Sequence, residues 1–213
     1  MGASADALVE GFVTNLARPG GNITGQTVRA GSEIASKQLE LLRSVAGKSD
    51  RVALLANPAN ASHRTLVKDL DASALKLGTE LRVVEAQRPR DIPDAFAAIA
   101  KGRVGGMIVL TDSMFFGQRR SIVDLAAKAA LPTMYSQREF AVAGGLASYG
   151  PSVVEMHRLA GLQVDKILNG ASPGDIPVEQ AATFELVINA RTARTLGLAV
   201  PQSVLLRADE IVE

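Results

Sequence analysis

The 213-residue sequence contains no cysteine. That absence excludes a disulfide scaffold, a thiolate nucleophile, an iron–sulfur cluster and a cysteine-ligated zinc ribbon together. It also lacks a charge excess of either sign. Lys and Arg number 23 against 22 Asp and Glu, a net charge of +1, so no overall field draws the chain to nucleic acid. Nucleic acid is therefore not an expected partner. Nor does any window reach the ~18 consecutive apolar residues of a membrane-spanning helix, so direct membrane insertion is not expected either. The opening residues, Met1 to Asp6, have neither a basic start nor a long apolar run and do not read as an export signal. What is present is ordinary for a folded chain: 47% apolar and 21% charged residues, enough to bury a core. At roughly 150 residues per domain the length suits one or two domains.

The central stretch alternates short apolar runs with helical patterns. Residues 51–56, 80–85, 106–111 and 132–135 read as strands. Between them, 62–77 places Leu66, Leu70 and Leu77 on one stripe, with Asn60 or Ser62 as N-cap and Gly78 as stop. Residues 91–101 open on a capping Asp91 with Pro93 in the first turn, and 116–130 carry Ile122, Leu125 and an alanine-rich face. Strand and helix repeating in this way predict an α/β fold with a parallel sheet, crossed right-handedly and flanked by helices. An upstream helix over 33–46 buries Ile34, Leu41, Leu42 and Val45 on one face, and 152–168 forms another helix behind Pro151. Residues 17–22 are a turn, 23–28 a strand or hinge segment, and 144–150 an extended connector. A strand over 184–188 leads to a short helix capped by Asn189 and stopped by Gly197.

Catalytic and metal templates fail. There is no G-x-S-x-G elbow, phosphate loop or dinucleotide fingerprint. His63 and His157 each stand without an i,i+4 partner, so they read as packed or surface imidazoles rather than metal ligands. No cofactor, metal or catalytic residue is expected. More telling are the carboxyl ends of the predicted strands, where open α/β sheets bind ligands. The first is followed by Asn57 and Asn60, whose amides face a helix amino end suited to a carboxylate. Thr111 and Asp112, then Phe115, follow the third; Tyr135, Ser136 and Glu139 follow the fourth. Polar groups beside aromatics suit a small amphipathic solute. Asp112 at a strand end also invites a phospho-acceptor reading, but that needs an acidic pair after the first strand, where Ala56, Asn57 and Pro58 stand instead.

Several segments carry a family resemblance: Leu16-Ala-Arg-Pro-Gly-Gly-Asn-Ile-Thr-Gly25, Lys37-Gln-Leu-Glu-Leu-Leu42, Asn57-Pro-Ala-Asn60 and Arg138-Glu-Phe140. Gly144-Gly-Leu-Ala-Ser-Tyr-Gly150, Val164-Asp-Lys-Ile-Leu168, Pro177-Val-Glu179, Phe184-Glu-Leu-Val-Ile-Asn189, Thr192-Ala193 and Leu196-Gly-Leu198 continue it in order. With them the sequence resembles the ABC-transporter substrate-binding proteins related to tryptophan- and tyrosine-type binding proteins, which have a type I periplasmic-binding fold. The resemblance implies two α/β lobes joined by a hinge, solute trapped as they close, and docking on membrane permease subunits in the periplasm or another extracytoplasmic space. It implies a binding protein, not an enzyme, for an amino acid or aromatic compound; a small-molecule sensor of a regulatory system is the alternative.

Mapped on this sequence, the resemblance makes residues 1–31 the tail of the first lobe and hinge entry, and 32–145 the second lobe, nearly complete. Residues 146–175 become the return crossing and a first-lobe helix, and 176–213 the C-terminal strand and helix segments. The first lobe is thus expected to be partial, its opening elements and export signal lying outside the sequence, with Leu8, Phe12, Val13 and Met156 left exposed. Asn57 and Asn60 are expected to hold polar groups of the solute, Asp112 an amine or hydroxyl, and Phe115 and Tyr135 its apolar part, with Tyr149 at the hinge.

Overall fold

A computed structural model describes every residue except 3, 5, 29–31, 48 and 49. In chain order, the first elements are β1 (Gln26–Thr27), α1 (Ser32–Ala46), β2 (Arg51–Ala56), α2 (Ala61–Lys76), β3 (Glu80–Glu85), α3 (Ile92–Lys101) and β4 (Gly106–Val109). Then come α4 (Ser113–Gly117), α5 (Arg119–Lys128), β5 (Thr133–Tyr135), α6 (Arg138–Val142), β6 (Ala147–Pro151) and α7 (Val153–Leu168). The chain continues through β7 (Glu179–Gln180), β8 (Phe184–Asn189), α8 (Ala190–Thr195), α9 (Gln202–Leu205) and β9 (Glu210–Val212). These divide into two compact units, one comprising Met1–Ala30 and Pro151–Phe184, the other Gly31–Gly150 and Glu185–Glu213.

The larger unit is built on a sheet of order β3-β2-β4-β5-β6-β8-β9. β2 pairs in parallel with both β3 and β4, β4 with β5, β5 with β6, and β8 with β9. This is the parallel α/β architecture the alternating pattern predicts, and its physical basis is burial on both faces. Along β2, Val52, Leu54 and Ala56 face a core shared with Leu39 and Leu42 of α1 and Leu70 of α2. Ala53 and Leu55 face the opposite core, with Phe96 and Ile99 of α3 and Ile122 of α5. β4 repeats the alternation, sending Ile108 to the first core and Met107 and Val109 to the second. Each of these leucines and isoleucines contributes about 1.5–3 kcal/mol by leaving water.

Asn60 caps α2 by accepting from Ser62 N–H at 3.1 Å. Two local expectations are corrected. Asp91 does not cap α3; its carboxylate turns back to accept from the N–H groups of Gln87 and Arg88 at 3.2 and 2.8 Å. The helix expected over 116–130 is two helices, starting earlier because Asp112 caps α4, and breaking at Gln118, where φ −99° and ψ 14° leave the helical region.

The smaller unit pairs β1 with β7 in parallel, adds a bridge from Ser4 to Thr27, and packs α7 beside β1. Gly20 in the turn expected over 17–22 has φ +72° and donates to the Gly174 carbonyl at 3.1 Å. The backbone approach is close: a Cβ on Gly174 would fall 2.7 Å from the Gly21 carbonyl oxygen. Val13 and Met156, expected to be exposed, are buried at 6% and 2%, Val13 against Ala7 and Val178. Phe12 is exposed, at 49%.

Candidate functional site

All nine candidate residues lie in the larger unit, eight at or just beyond the carboxyl ends of its parallel strands and Tyr149 within β6. The structure joins them into two clusters. The first is centred on Asp112. One carboxylate oxygen, Oδ1, accepts from the backbone N–H groups of Met114 and Phe115 at 2.9 and 3.3 Å, capping α4. The other, Oδ2, accepts from the side-chain amides of Asn57 and Asn60 at 3.1 and 3.0 Å. The amide oxygens are oriented in turn: Asn57 accepts from Ala59 N–H at 3.0 Å and Asn60 from Ser62 N–H. The arrangement locks the loops after β2 and β4 to one carboxylate. Four donors already surround Asp112, which therefore acts here as a strut aligning two amides.

His63 reinforces the same junction, and it is a residue to which the sequence pattern assigned no role. Its Nδ1 accepts from Asn57 N–H at 2.8 Å, so the proton resides on Nε2, which donates to the Thr111 carbonyl at 3.0 Å. Burial, to 3% exposure, is the main reason its pKa lies below 6.5, although the Thr111 contact and the Asp112 charge pull the other way. The imidazole is also stacked near the Phe115 ring, with centroids 6.5 Å apart. Of the two readings open from sequence, His63 is the packed imidazole and His157 the surface one.

The second cluster joins the ends of β5 and β6. Gln38, from the middle of α1, donates through Nε2 to Ser136 Oγ at 3.1 Å and to the Tyr149 carbonyl at 2.7 Å. Sequence reading passed over Gln38, yet a signal was there: it sits four residues from Ile34 and three from Leu41, a polar residue inside an apolar stripe. β5 and β6 approach closely at this point. A Cβ on Gly150 would fall 1.7 Å from the Ser136 carbonyl oxygen. Glu139, in the first turn of α6, has Oε2 buried without a hydrogen-bond partner, as is the Ser148 hydroxyl.

Phe115 and Tyr135 have no exposed surface and belong to the core beneath the strand ends. Tyr135 stacks on Phe140 with centroids 4.6 Å apart and an interplanar angle of 15°. Burial pushes its phenol pKa well above the ordinary range. The two clusters offer amides, hydroxyls and a carboxylate above an aromatic floor, an arrangement suited to a small polar solute with an apolar part. No group of His, Asp or Glu capable of holding a metal occurs among the described residues.

Structures of known proteins share this architecture. The ABC domain from Streptococcus pneumonia in complex with L-Trp superposes with a TM-score of 0.90 at 25% identity, over 100% of this chain and 70% of that one. A conserved domain protein from Vibrio cholerae superposes with a TM-score of 0.87 at 26% identity, over 97% of this chain and 69% of its own. A LacI family transcriptional regulator from Bifidobacterium animalis, at 18% identity and a TM-score of 0.56, shares the fold alone. Sheet, helices and neighbours together define an α/β protein of the type I periplasmic-binding class. Residues 1–212 match the ABC transporter substrate binding protein family, and the chain belongs to it. The tyrosine-binding protein of Clostridioides difficile is 25% identical over 198 residues, which is 93% of this chain and 56% of that protein's length. No described helix is long and apolar enough to cross a membrane.

Proposed function

We propose that this chain supplies solute-binding surface for the substrate-binding component of an ABC importer, and that the strand-end clusters contact the solute. The observation that carries the reading is the aligned amide pair, Asn57 and Asn60, on one oxygen of Asp112 beside the amino end of α2. Each amide uses one N–H on Asp112, and its second N–H is available to a carboxylate. Thr111 and Ser136 add hydroxyls, Glu139 a carboxylate for an ammonium group, and Tyr149 aromatic surface. Asp112 holds the amides in register, and Phe115 and Tyr135 stiffen the floor. A carboxylate, an ammonium and an apolar body describe an amino acid; relatives that carry L-Trp or are named for tyrosine favour an aromatic one. Membership of the family supports permease subunits as the protein partner, an extracytoplasmic location and binding without turnover.

The test is nuclear magnetic resonance titration of the whole chain with L-Trp, L-Tyr and D-ribose. Saturable shifts with an amino acid at residues 57–60 and 111–115, weakened about tenfold by Asn60→Ala, are expected. No saturable shift with either amino acid, or equal shifts with ribose, would overturn the proposal.

A further inference from the structure

The two loops that carry the amide pair are joined through one imidazole. The loop after β2 brings Asn57 and Asn60, and the end of β4 leads into Thr111 and Asp112. His63, in the first turn of α2, bridges them: Nδ1 accepts from Asn57 N–H at 2.8 Å, and Nε2 donates to the Thr111 carbonyl at 3.0 Å. Both partners are backbone groups with fixed roles, since an N–H only donates and a carbonyl only accepts. The junction is therefore made for one neutral tautomer, and no rotation of the ring lets a cation keep both bonds.

Protonation would place a second N–H at Nδ1, facing Asn57 N–H across 2.8 Å. Two donors cannot share that gap, and the N–H of a buried residue loses its acceptor. The turn built on Asn57 is tight: Asn60 N–H donates to the Asn57 carbonyl at 3.0 Å, and Ala59 N–H to the Asn57 side chain at 3.0 Å. A shift at Asn57 thus carries Asn60 with it, and both amides leave the Asp112 oxygen that aligns them.

The surroundings make the cation costly without excluding it. His63 is buried, and it sits at the amino end of α2, where the helix dipole opposes positive charge. Asp112 is the charged group that faces the ring, and it pulls the other way. Residues 57–60 and α4 contain no titratable side chain. Arg64, beside His63 on α2, and Glu85, opposite Ala56 on β3, are exposed.

We infer that His63 is a positioning residue that makes solute binding at the Asn57 and Asn60 amides proton-sensitive, with full affinity while the ring is neutral and loss of affinity once it is charged. This regulation rests on the strand-end site proposed above: solute is held at neutral pH and released in acid.

The test uses the isotopically labelled whole chain with L-Trp and L-Tyr as probes. Without solute, the His63 ring should carry its proton on Nε2 at neutral pH. On acidification the amide signals of Asn57, Ala59, Asn60 and Thr111 should move with the ring's own midpoint, whereas titration of the exposed His157 should leave them still. His63→Gln retains an acceptor and a donor but takes up no proton. At one pH unit below the ring's midpoint about a tenth of the solute-free chain keeps a neutral ring, so amino-acid affinity should be about tenfold weaker than at neutral pH. In His63→Gln it should not change over the same range. Reciprocally, saturating amino acid should lower the ring's midpoint by at least about one unit. His63→Leu, which can make neither bond, should bind weakly at every pH. Affinity that stays flat across the ring's titration, or declines equally in the parent and His63→Gln, overturns the inference and leaves the strand-end site standing. No saturable binding of either amino acid at neutral pH overturns both.

Discussion

Replacing Asp112 separates the two tasks of its carboxylate. In Asp112→Asn the amide oxygen can still accept from Met114 and Phe115 N–H, because Asn caps helices as well as Asp does. Its new NH₂ group, however, faces the amide donors of Asn57 and Asn60, at 3.1 and 3.0 Å from the oxygen it replaces. Both charge-assisted bonds are lost and a donor confronts two donors. At ~1.5 kcal/mol or somewhat less per bond at this partly solvated position, the loss is about 2–3 kcal/mol. Asp112→Ala removes the cap as well, adding about 1 kcal/mol for a total of about 3–4 kcal/mol. Urea unfolding followed by circular dichroism gives the two losses, and amide exchange at Asn57, Asn60, Met114 and Phe115 gives their location. The Asn variant should accelerate exchange around Asn57 and Asn60 alone, whereas the Ala variant should also release Met114 and Phe115. The reasoning fails if Asp112→Asn is as stable as the parent, or if the two variants are equally destabilised.

Three further outcomes follow from the packing of His63, Gly150 and Gly161. Because burial keeps the His63 pKa below 6.5 in the folded chain, the unfolded chain takes up the proton first on acidification. Its contribution is therefore complete above pH 6.5 and declines as pH falls from there through the depressed folded value. Urea midpoints measured from about pH 8 to about pH 5 should show this decline in the parent and a shallower one in His63→Gln; parallel profiles would contradict the assignment. Gly150→Ala should cost about 3 kcal/mol or more, since its Cβ would meet the Ser136 carbonyl at 1.7 Å. Gly161→Ala in α7, with nothing within 4 Å of the added carbon, should instead raise the melting temperature by the equivalent of up to about 1 kcal/mol. An unchanged melt for Gly150→Ala would refute the close approach of β5 and β6.

Much of the sheet was legible without coordinates because its strands are buried on both faces. β2 reads as Val-Ala-Leu-Leu-Ala and β4 as Gly-Met-Ile-Val, and continuous apolar runs of that length bounded by turns leave few alternatives. The helices α1, α2 and α7 were equally legible from stripe and cap. Short elements were not. α6, α9 and β9 span 5, 4 and 3 residues, too few for a period to emerge. The stretch over 144–150 carries three Gly, a Ser and an Ala, so it reads as a connector; in the structure β6 lies inside the sheet between β5 and β8. Its small residues suit a close backbone approach rather than a large buried surface.

The candidate residues divide along the same line. Local pattern was sufficient to place Asn57, Asn60, Asp112 and Ser136 at strand ends, because strand and helix alternation dictates which loops share one edge of a parallel sheet. It could not assign their partners. The Asn57–Asp112 bond spans 55 positions, and Gln38 reaches Ser136 across 98 and Tyr149 across 111. Periodicity reports what a residue repeats with nearby, whereas hydrogen-bond partners are chosen by which loops the sheet order brings side by side. Sequence determined the alternation, the Asn60 and Asn189 caps and the family. Tertiary packing decided that Asp112 is a saturated strut, that His63 is neutral and buried, and that Tyr135 is sealed in the core against Phe140.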